Sequence, residues 1–317
     1  MKISVVIPLL NEAESLPELY EHLTEVLGGM EGDYEIIFVD DGSSDDSWEI
    51  IRSLSGRDRH VKGIKFSRNF GKSQALDAGF KKATGDVVVT MDADLQDDPA
   101  EIPGLVAMIT DEGYDMVSCW KKKRKDPVLS KNLPSKLFNW AARTVSGIRL
   151  HDFNCGLKAY KGEVTRHIRV YGEMHRYIPF LAKQAGFERI GERPVRHHAR
   201  KYGQTKFGSD RFIKGVLDLI TLWFHMRFSR RPMYLFGGLG LLMFLIGGLS
   251  VAVILGVKAY KLMYGLPTHL VTDRPWFYIS IASMLLGSQF FLAGFLGELI
   301  LQQGERAGYY HIQEETD

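Results

Sequence analysis

Asp92 and Asp94 stand two residues apart in the run MDADLQDDP, directly after an apolar stretch. Two carboxylates at i and i+2 where a strand ends can share one hard divalent cation. Mg²⁺ or Mn²⁺ suits such a pair, because both take oxygen ligands and are commonly completed by the phosphates of a substrate. Gln96 can add a side-chain carbonyl oxygen. A cation held there would stabilise a departing diphosphate as a Lewis acid. Asp97 and Asp98 read instead as exposed acids that start the next helix.

Three more polar groups follow apolar runs in the same way. Asn11 and Glu12 come after ISVVIPLL, Asp40 and Asp41 after EIIFV, and Arg68, Asn69 and Lys72 after VKGIKF. Asp40 and Asp41 can accept hydrogen bonds from a nucleobase imide or a ribose, or one of them can cap the following helix. Arg68 and Lys72 can pair with phosphates or stand as solvated loop charge.

The elements that must position these groups alternate. Residues 3–7, 35–39, 61–66 and 86–91 are short, apolar and rich in β-branched side chains, and 115–118 makes a later strand. Helices are expected from about Asn11–Glu14, after Ser44 or Asp45, from Lys72 to about Lys82, and from Pro99 and Glu101. Strands alternating with helices of this length predict βαβ units and a mostly parallel α/β sheet. In such sheets ligands bind outside the carboxyl ends of the strands, and four strand ends here bring polar residues to one edge. No GxGxxG or GxxxxGK[ST] follows a strand, so dinucleotide redox chemistry and P-loop hydrolysis lack their phosphate cradle.

The 317 residues are 45% hydrophobic and 25% charged, enough apolar material for a packed core. Forty Lys and Arg against 38 Asp and Glu leave a formal charge of +2, which excludes a wholesale polyanion binder, and no nucleic-acid partner is expected. Two cysteines, Cys119 and Cys155, cannot build a disulfide framework, and no CxxC offers a zinc site. Cys155 is not read as a nucleophile, since no histidine partner is identifiable. The charge run Lys121–Lys125 reads as solvated.

The C-terminal third is of another kind. Met233–Val257 is an uncharged run of membrane-spanning length, and Trp276–Gly297 is a second. Both runs are Gly-rich, and the G-G-x-G and G-G-L-S stretches of the first suit close helix contact in lipid. Residues 210–231 mix apolar and basic side chains, as an amphipathic interfacial helix or ordinary domain surface would. Basic residues before the first span tip the balance toward a cytoplasmic N-terminal part, and no signal peptide is read at the N-terminus.

VVIPLLNEAESLPEL, VDDGSSDDS, SRNFGKSQAL and MDADLQDDP together resemble the family-2 glycosyltransferases of GT-A fold. More closely they resemble the polyprenyl-phosphate glycosyltransferases, among them dolichyl-phosphate mannose synthases and bacterial undecaprenyl-phosphate sugar transferases. The resemblance spans roughly residues 3–210 and extends to the two spans. It implies a nucleotide-sugar donor, a UDP- or GDP-sugar, and a polyprenyl-phosphate acceptor in the membrane. It places Pro8, Asn11, Glu12 and Asp40 at nucleotide-binding positions, and Asp92, Ala93, Asp94 and Gln96 around the metal and diphosphate. Asp41, Arg68, Asn69 and Lys72 join the donor-binding set. The basic stretch 195–208 matches a segment lying over the donor site, with Arg200 and Lys206 as its phosphate partners, and Asp152 falls in an acceptor-side motif. Residues 195–208 also read as a basic surface loop beside anionic lipid.

The implied reaction is inverting: a phosphate oxygen attacks the anomeric carbon. A phosphomonoester with a second pKa near about 6 is already largely ionised, so no strong base is required. The expected organisation is a cytoplasmic GT-A domain over 1–209, juxtamembrane helices over 210–232, two spans within 233–303 and a cytoplasmic tail over 304–317. This makes a multi-pass protein of the cell membrane. The resemblance also implies a homo-oligomer, a tetramer in many members. Three rival functions compete with sugar transfer to a lipid. A processive polysaccharide synthase would carry QxxRW and more spans, and QQGER lacks the Trp. A catalytically inactive scaffold and a transporter component are the second and third. Base, sugar and prenyl length stay open.

Overall fold

The computed structural model describes residues 1–121, 146–195 and 231–304, together with Asn139, 142–144, Lys201, Phe224 and Phe228. The chain divides into two compact units, Met1–Leu219 with Tyr309–Asp317, and Ile220–Gly308.

In the first unit the strands are β1 (Lys2–Leu9), β2 (Asp33–Asp40), β3 (Val61–Lys65), β4 (Val87–Thr90), β5 (Met116–Lys121), β6 (Lys158–Lys161) and β7 (Ile190–Val195). The helices are α1 (Leu16–Gly28), α2 (Ser47–Arg57), α3 (Lys72–Lys82), α4 (Ile102–Thr110), α5 (Gly162–His167) and α6 (Ile178–Gln184). One mixed sheet runs in the order β3-β2-β1-β4-β6-β5-β7. β1, β2, β3 and β4 are mutually parallel, β5 and β7 pair in parallel, and β6 alone runs antiparallel to its neighbours β4 and β5.

The central strands are apolar at nearly every position because helices cover both faces. Ile3, Val5 and Ile7 pack in one cluster with Leu16, Leu19 and Leu23 of α1 and with Ile102 and Leu105 of α4. Val6 faces the other way, against α3 at Gly79, where an added Cβ would meet its Cγ1 at 2.2 Å. Each fully buried leucine of α1 contributes about 2 kcal/mol of apolar burial.

Local starts differ from expectation in two places. Asn11–Glu14 form a turn, Asn11 adopts a φ of +54°, and α1 begins only at Leu16. The Asn11 side chain and the backbone N–H groups of Asn11, Glu12 and Ala13 bond across to the loop after β2 instead of starting a helix. Asp97 is not an exposed acid: it is 2% exposed and pairs with Lys121 at 3.0 Å. Lys121 is therefore no part of a solvated charge run, while 122–125 lie outside the described residues. Asp98 does cap, accepting from the Ala100 N–H at 3.0 Å.

The second unit is a helical hairpin, α7 (Pro232–Met263) and α8 (Pro275–Gly304). Both helices are long and apolar enough to cross a membrane. Glycine lets them touch: a Cβ on Gly240 would lie 2.5 Å from the Gly287 carbonyl oxygen, and one on Gly287 2.6 Å from that of Gly240. Ser283 Oγ donates to the Met243 carbonyl of the other helix at 3.0 Å. Most of the segment 210–230 lies outside the described residues.

Candidate active site

Loops leaving the C-terminal ends of β1, β2 and β3 are tied to one another before any ligand arrives. Asn11 N–H donates to Ser43 Oγ at 2.8 Å, and Asn11 Oδ1 accepts from the Ser44 N–H at 2.7 Å. Glu12 N–H donates to Ser47 Oγ at 3.0 Å. Asp45 accepts from the Ala13 N–H and from the Ser47 N–H, the first of α2, both at 3.1 Å. Gly42 lies so close to the next loop that a Cβ would sit 2.4 Å from the Arg68 carbonyl carbon.

The two aspartates at the end of β2 divide their work. Asp41 accepts from the N–H groups of Phe70 (2.7 Å) and Gly71 (2.9 Å), holding the loop that leads into α3. Asp40 is fully buried, and its Oδ1 takes the Ser43 N–H at 2.8 Å. Among the described residues its Oδ2 has no hydrogen-bond partner. The end of β2 thus holds one buried acceptor that the surrounding described residues leave unused. Arg68, Asn69 and Phe70 are exposed, and the Arg68 guanidinium lies 4.7 Å from the Phe70 ring centroid.

A pocket opens at the ends of β1 and β4. Pro8, Lys72, Asp92, Lys158 and His175 line it, with Cys155 and Gly156 along one wall. Three of the sequence-selected residues, Pro8, Lys72 and Asp92, thus come together. Lys72, the first residue of α3, forms an ion pair with Asp92 Oδ1. Burial opposes ionisation of Asp92, yet Lys72, then Lys121 and Lys158, bring its pKa down to about 2. Gly156 presses on this carboxylate: a Cβ there would lie 2.6 Å from Asp92 Cγ. Thr90 Oγ1 donates to the Gly156 carbonyl at 2.9 Å and fixes the wall.

Asp94 is 9% exposed, and its Oδ1 accepts from the Gln96 N–H at 3.2 Å. Between them Leu95 takes a φ of +57°, a strained geometry for a leucine. Ala93 is buried in the core. Burial first, then the charges of Asp92 and Asp94, raise the Asp97 carboxyl despite its lysine partner. Lys72 and Lys121 already offset Asp92 and Asp97. Among the described residues no cluster of three or more His, Cys, Asp or Glu side chains is set for a metal. The pair Asp92 and Asp94 therefore suits an ion that keeps water and substrate phosphates as ligands, which is the habit of Mg²⁺ and of similar hard cations.

Lys158 and His175 carry no strand-end signal, and sequence reasoning missed both as site residues. Lys158 is 3% exposed and donates to the Cys155 carbonyl, and burial lowers its pKa. His175 is pinned by Ser73, 102 residues away: its backbone N–H donates to Ser73 Oγ at 3.0 Å, and Ser73 Oγ lies 3.0 Å from His175 Nδ1. The Ser73 hydroxyl has a second lone pair for an Nδ1–H and a proton of its own for a bare Nδ1, so either ring tautomer satisfies this pair. Burial first, then Lys72, Arg176 and Lys158, push the His175 pKa down to about 3, so the ring is neutral. A neutral ring offers one N–H donor and one acceptor nitrogen. A histidine does therefore share a pocket with Cys155, but burial pushes the Cys155 thiol up to about 12 and rules against a thiolate.

Asp152 is 2% exposed, and its Oδ1 accepts from the Asn154 N–H at 3.0 Å. It supports the wall behind the pocket. Arg200 and Lys206 lie outside the described residues.

A mostly parallel sheet with acids at the end of β4 and a pocket at the ends of β1 and β4 has the form of a GT-A-like transferase. The chain belongs to glycosyl transferase family 2, whose model matches residues 4–169, and it is a glycosyltransferase. It is 34% identical over 302 residues to dodecaprenyl-phosphate galacturonate synthase of Rhizobium johnstonii, covering 95% of this chain and 88% of that protein. Its fold is similar to glucosyl-3-phosphoglycerate synthase from Mycobacterium tuberculosis, solved with UDP, at 22% identity and a TM-score of 0.54. That match covers 70% of this chain and 80% of the other. The same enzyme solved with Mn²⁺, UDP-glucose and glycerol 3-phosphate gives a TM-score of 0.53 at 22% identity, over 71% and 79% of the two chains.

Proposed function

We propose that the protein transfers a sugar from a nucleotide-sugar to a polyprenyl phosphate at the cytoplasmic face of a membrane, with inversion at the anomeric carbon. The observation that carries this reading is the extent of the similarity. It covers 95% of the chain, through both apolar helices, and the relative it matches acts in dodecaprenyl-phosphate sugar synthesis by its name. A soluble acceptor would give no reason to keep the hairpin.

In this reading the loops part so that Asp40 Oδ2, buried and unused here, receives the base of the donor, and Asn11 and Glu12 brace the loop beside it. Asp92 and Asp94, with Gln96 adjacent, hold a divalent cation, Mg²⁺ or Mn²⁺, which when bound neutralises the donor diphosphate. Lys72 leaves Asp92 for a phosphate oxygen. The N-terminus of α3 adds its positive dipole end at the same place. Lys158 places a second positive charge behind the pocket. His175, in the tautomer that carries its proton on Nε2, donates to an oxygen of the sugar or acceptor and holds it in line for attack. The acceptor phosphate is already anionic, so the absence of a basic imidazole does not impede the reaction. Arg200 and Lys206 are assigned to the donor phosphates from above.

The test is a transfer assay. Purified full-length protein receives undecaprenyl phosphate, Mg²⁺ or Mn²⁺, and a panel of radiolabelled UDP- and GDP-sugars. Label is expected to enter the lipid phase with wild type and to stay in water with Asp94→Ala. Donor hydrolysis or transfer to a soluble acceptor, with none to the lipid, would overturn the reading.

A further inference from the structure

A second pocket lies within the hairpin, at its closed end. The last turns of α7, the connection after it and the residue before α8 border an open depression of about 250 Å³, solvent-filled space included. Lys258, Lys261, Thr268, His269 and Arg274 line it. Among the described residues none of the three cations forms an ion pair with a carboxylate, and the nearby Asp273 is exposed and does not line the pocket. Three like charges around one cavity repel unless an anion sits between them.

Two further observations say which anion. Arg274 stands immediately before the 30-residue helix α8, and no acid occupies that helix's first turn. A cation at a helix N-terminus opposes the dipole, whereas an anion there is stabilised by it. The depth is marked by exposed aromatics: Tyr260 and Tyr264 at the end of α7, Trp276 and Tyr278 at the start of α8. Tyrosine and tryptophan gather at the headgroup level of a bilayer. Ile254 and Val257 form the pocket wall on the side of the apolar stretch.

We propose that this pocket seats the phosphate of an anionic membrane phospholipid. The lysines and the arginine bind its oxygens, Thr268 and the His269 ring donate hydrogen bonds, and the apolar wall meets the glycerol end of the acyl chains. The site is independent of the sugar-transfer reading, since it rests on the hairpin alone.

Native mass spectrometry of the full-length protein in detergent tests this, with phosphatidylglycerol or phosphatidylcholine added at equal concentration. Wild type is expected to retain one phosphatidylglycerol in preference to phosphatidylcholine. Each cation removed weakens retention about fivefold. The triple variant Lys258→Gln, Lys261→Gln, Arg274→Gln is expected to fall to the phosphatidylcholine level. Arg274→Lys, which keeps the charge, retains the lipid and shows that folding is not the cause, with gel filtration checking all variants. Equal retention of the two lipids, or unchanged retention by the triple variant, would overturn the proposal. Complete displacement by millimolar inorganic phosphate would do so too, by making the site one for a soluble oxyanion.

Discussion

His175 shows how a single buried group can be read from its partners. Ser73 anchors both the backbone N–H and the Nδ1 edge of the ring, and burial with three neighbouring cations keeps the ring neutral. Its role as a donor predicts that His175→Ala lowers kcat/KM for sugar transfer by roughly 10- to 100-fold, the range of one hydrogen bond to a charged group. His175→Gln, which can present an N–H at a similar reach, should recover part of that loss. A stability measurement is independent of any substrate. The unfolded ring takes a proton near its ordinary value of 6.5, whereas the folded ring resists until about 3. Stability therefore falls as pH drops through that window, because the unfolded state binds the proton first. Between pH 6.5 and 5 the urea midpoint of wild type should fall more steeply than that of His175→Gln. Parallel slopes would mean the ring is solvated. Gly156 makes a second residue-scale case. A methyl group there would overlap the Asp92 carboxylate, so Gly156→Ala should abolish most transfer while leaving the circular dichroism spectrum unchanged.

At the scale of elements, the polar edge is legible in the sequence because each parallel strand ends in a loop on the same side. Periodicity and breakers find β1 to β5 and the start of α3. They do not find β6 and β7. KAYK and IGERPV are short and carry charges, and their place in the sheet comes from pairing with strands distant in sequence. Antiparallel β6 brings Lys158 and Gly156 to the pocket, so one wall of the site is hidden along with that strand. Asp97 escapes local reading for a related reason: its partner Lys121 closes a strand that patterning alone joins to a charge run. Glu35, near the start of β2, tests how such buried charge holds the sheet. Ser4 Oγ donates to it at 2.6 Å and the Thr84 N–H at 2.7 Å, and Lys62 forms an ion pair with it. Burial opposes its charge, but these partners bring its pKa down to about 2. Glu35→Ala strands the hydroxyl and the lysine together and should cost about 3 kcal/mol in urea unfolding. The wild-type contribution is present above pH 4.5 and is lost as pH falls through about 2, so the gap between the two proteins should close in acid.

For the whole molecule, the hairpin is the part whose stability depends on its surroundings. Leu242, Leu249 and Ile300 are more than half exposed on α7 and α8, a disposition that water disfavours and lipid does not. What holds the two helices to each other is therefore close packing rather than expulsion of apolar surface. The contact of Gly240 with Gly287 leaves no space for a side chain on either. Gly240→Leu should leave both helices long enough to span and the chain in the membrane pellet after alkaline carbonate washing. It should nevertheless lower the thermal unfolding midpoint in detergent, with an overpacking cost of about 1 to 3 kcal/mol. Gly238→Leu is the matched control, since a Cβ at Gly238 meets nothing within 4 Å. Equal midpoints for the two variants would show that the helices are held by their connection alone. A lower midpoint for Gly240→Leu only would place the holding force in the glycine contact, which keeps α7 and α8 side by side up to the closed end where the three cations gather.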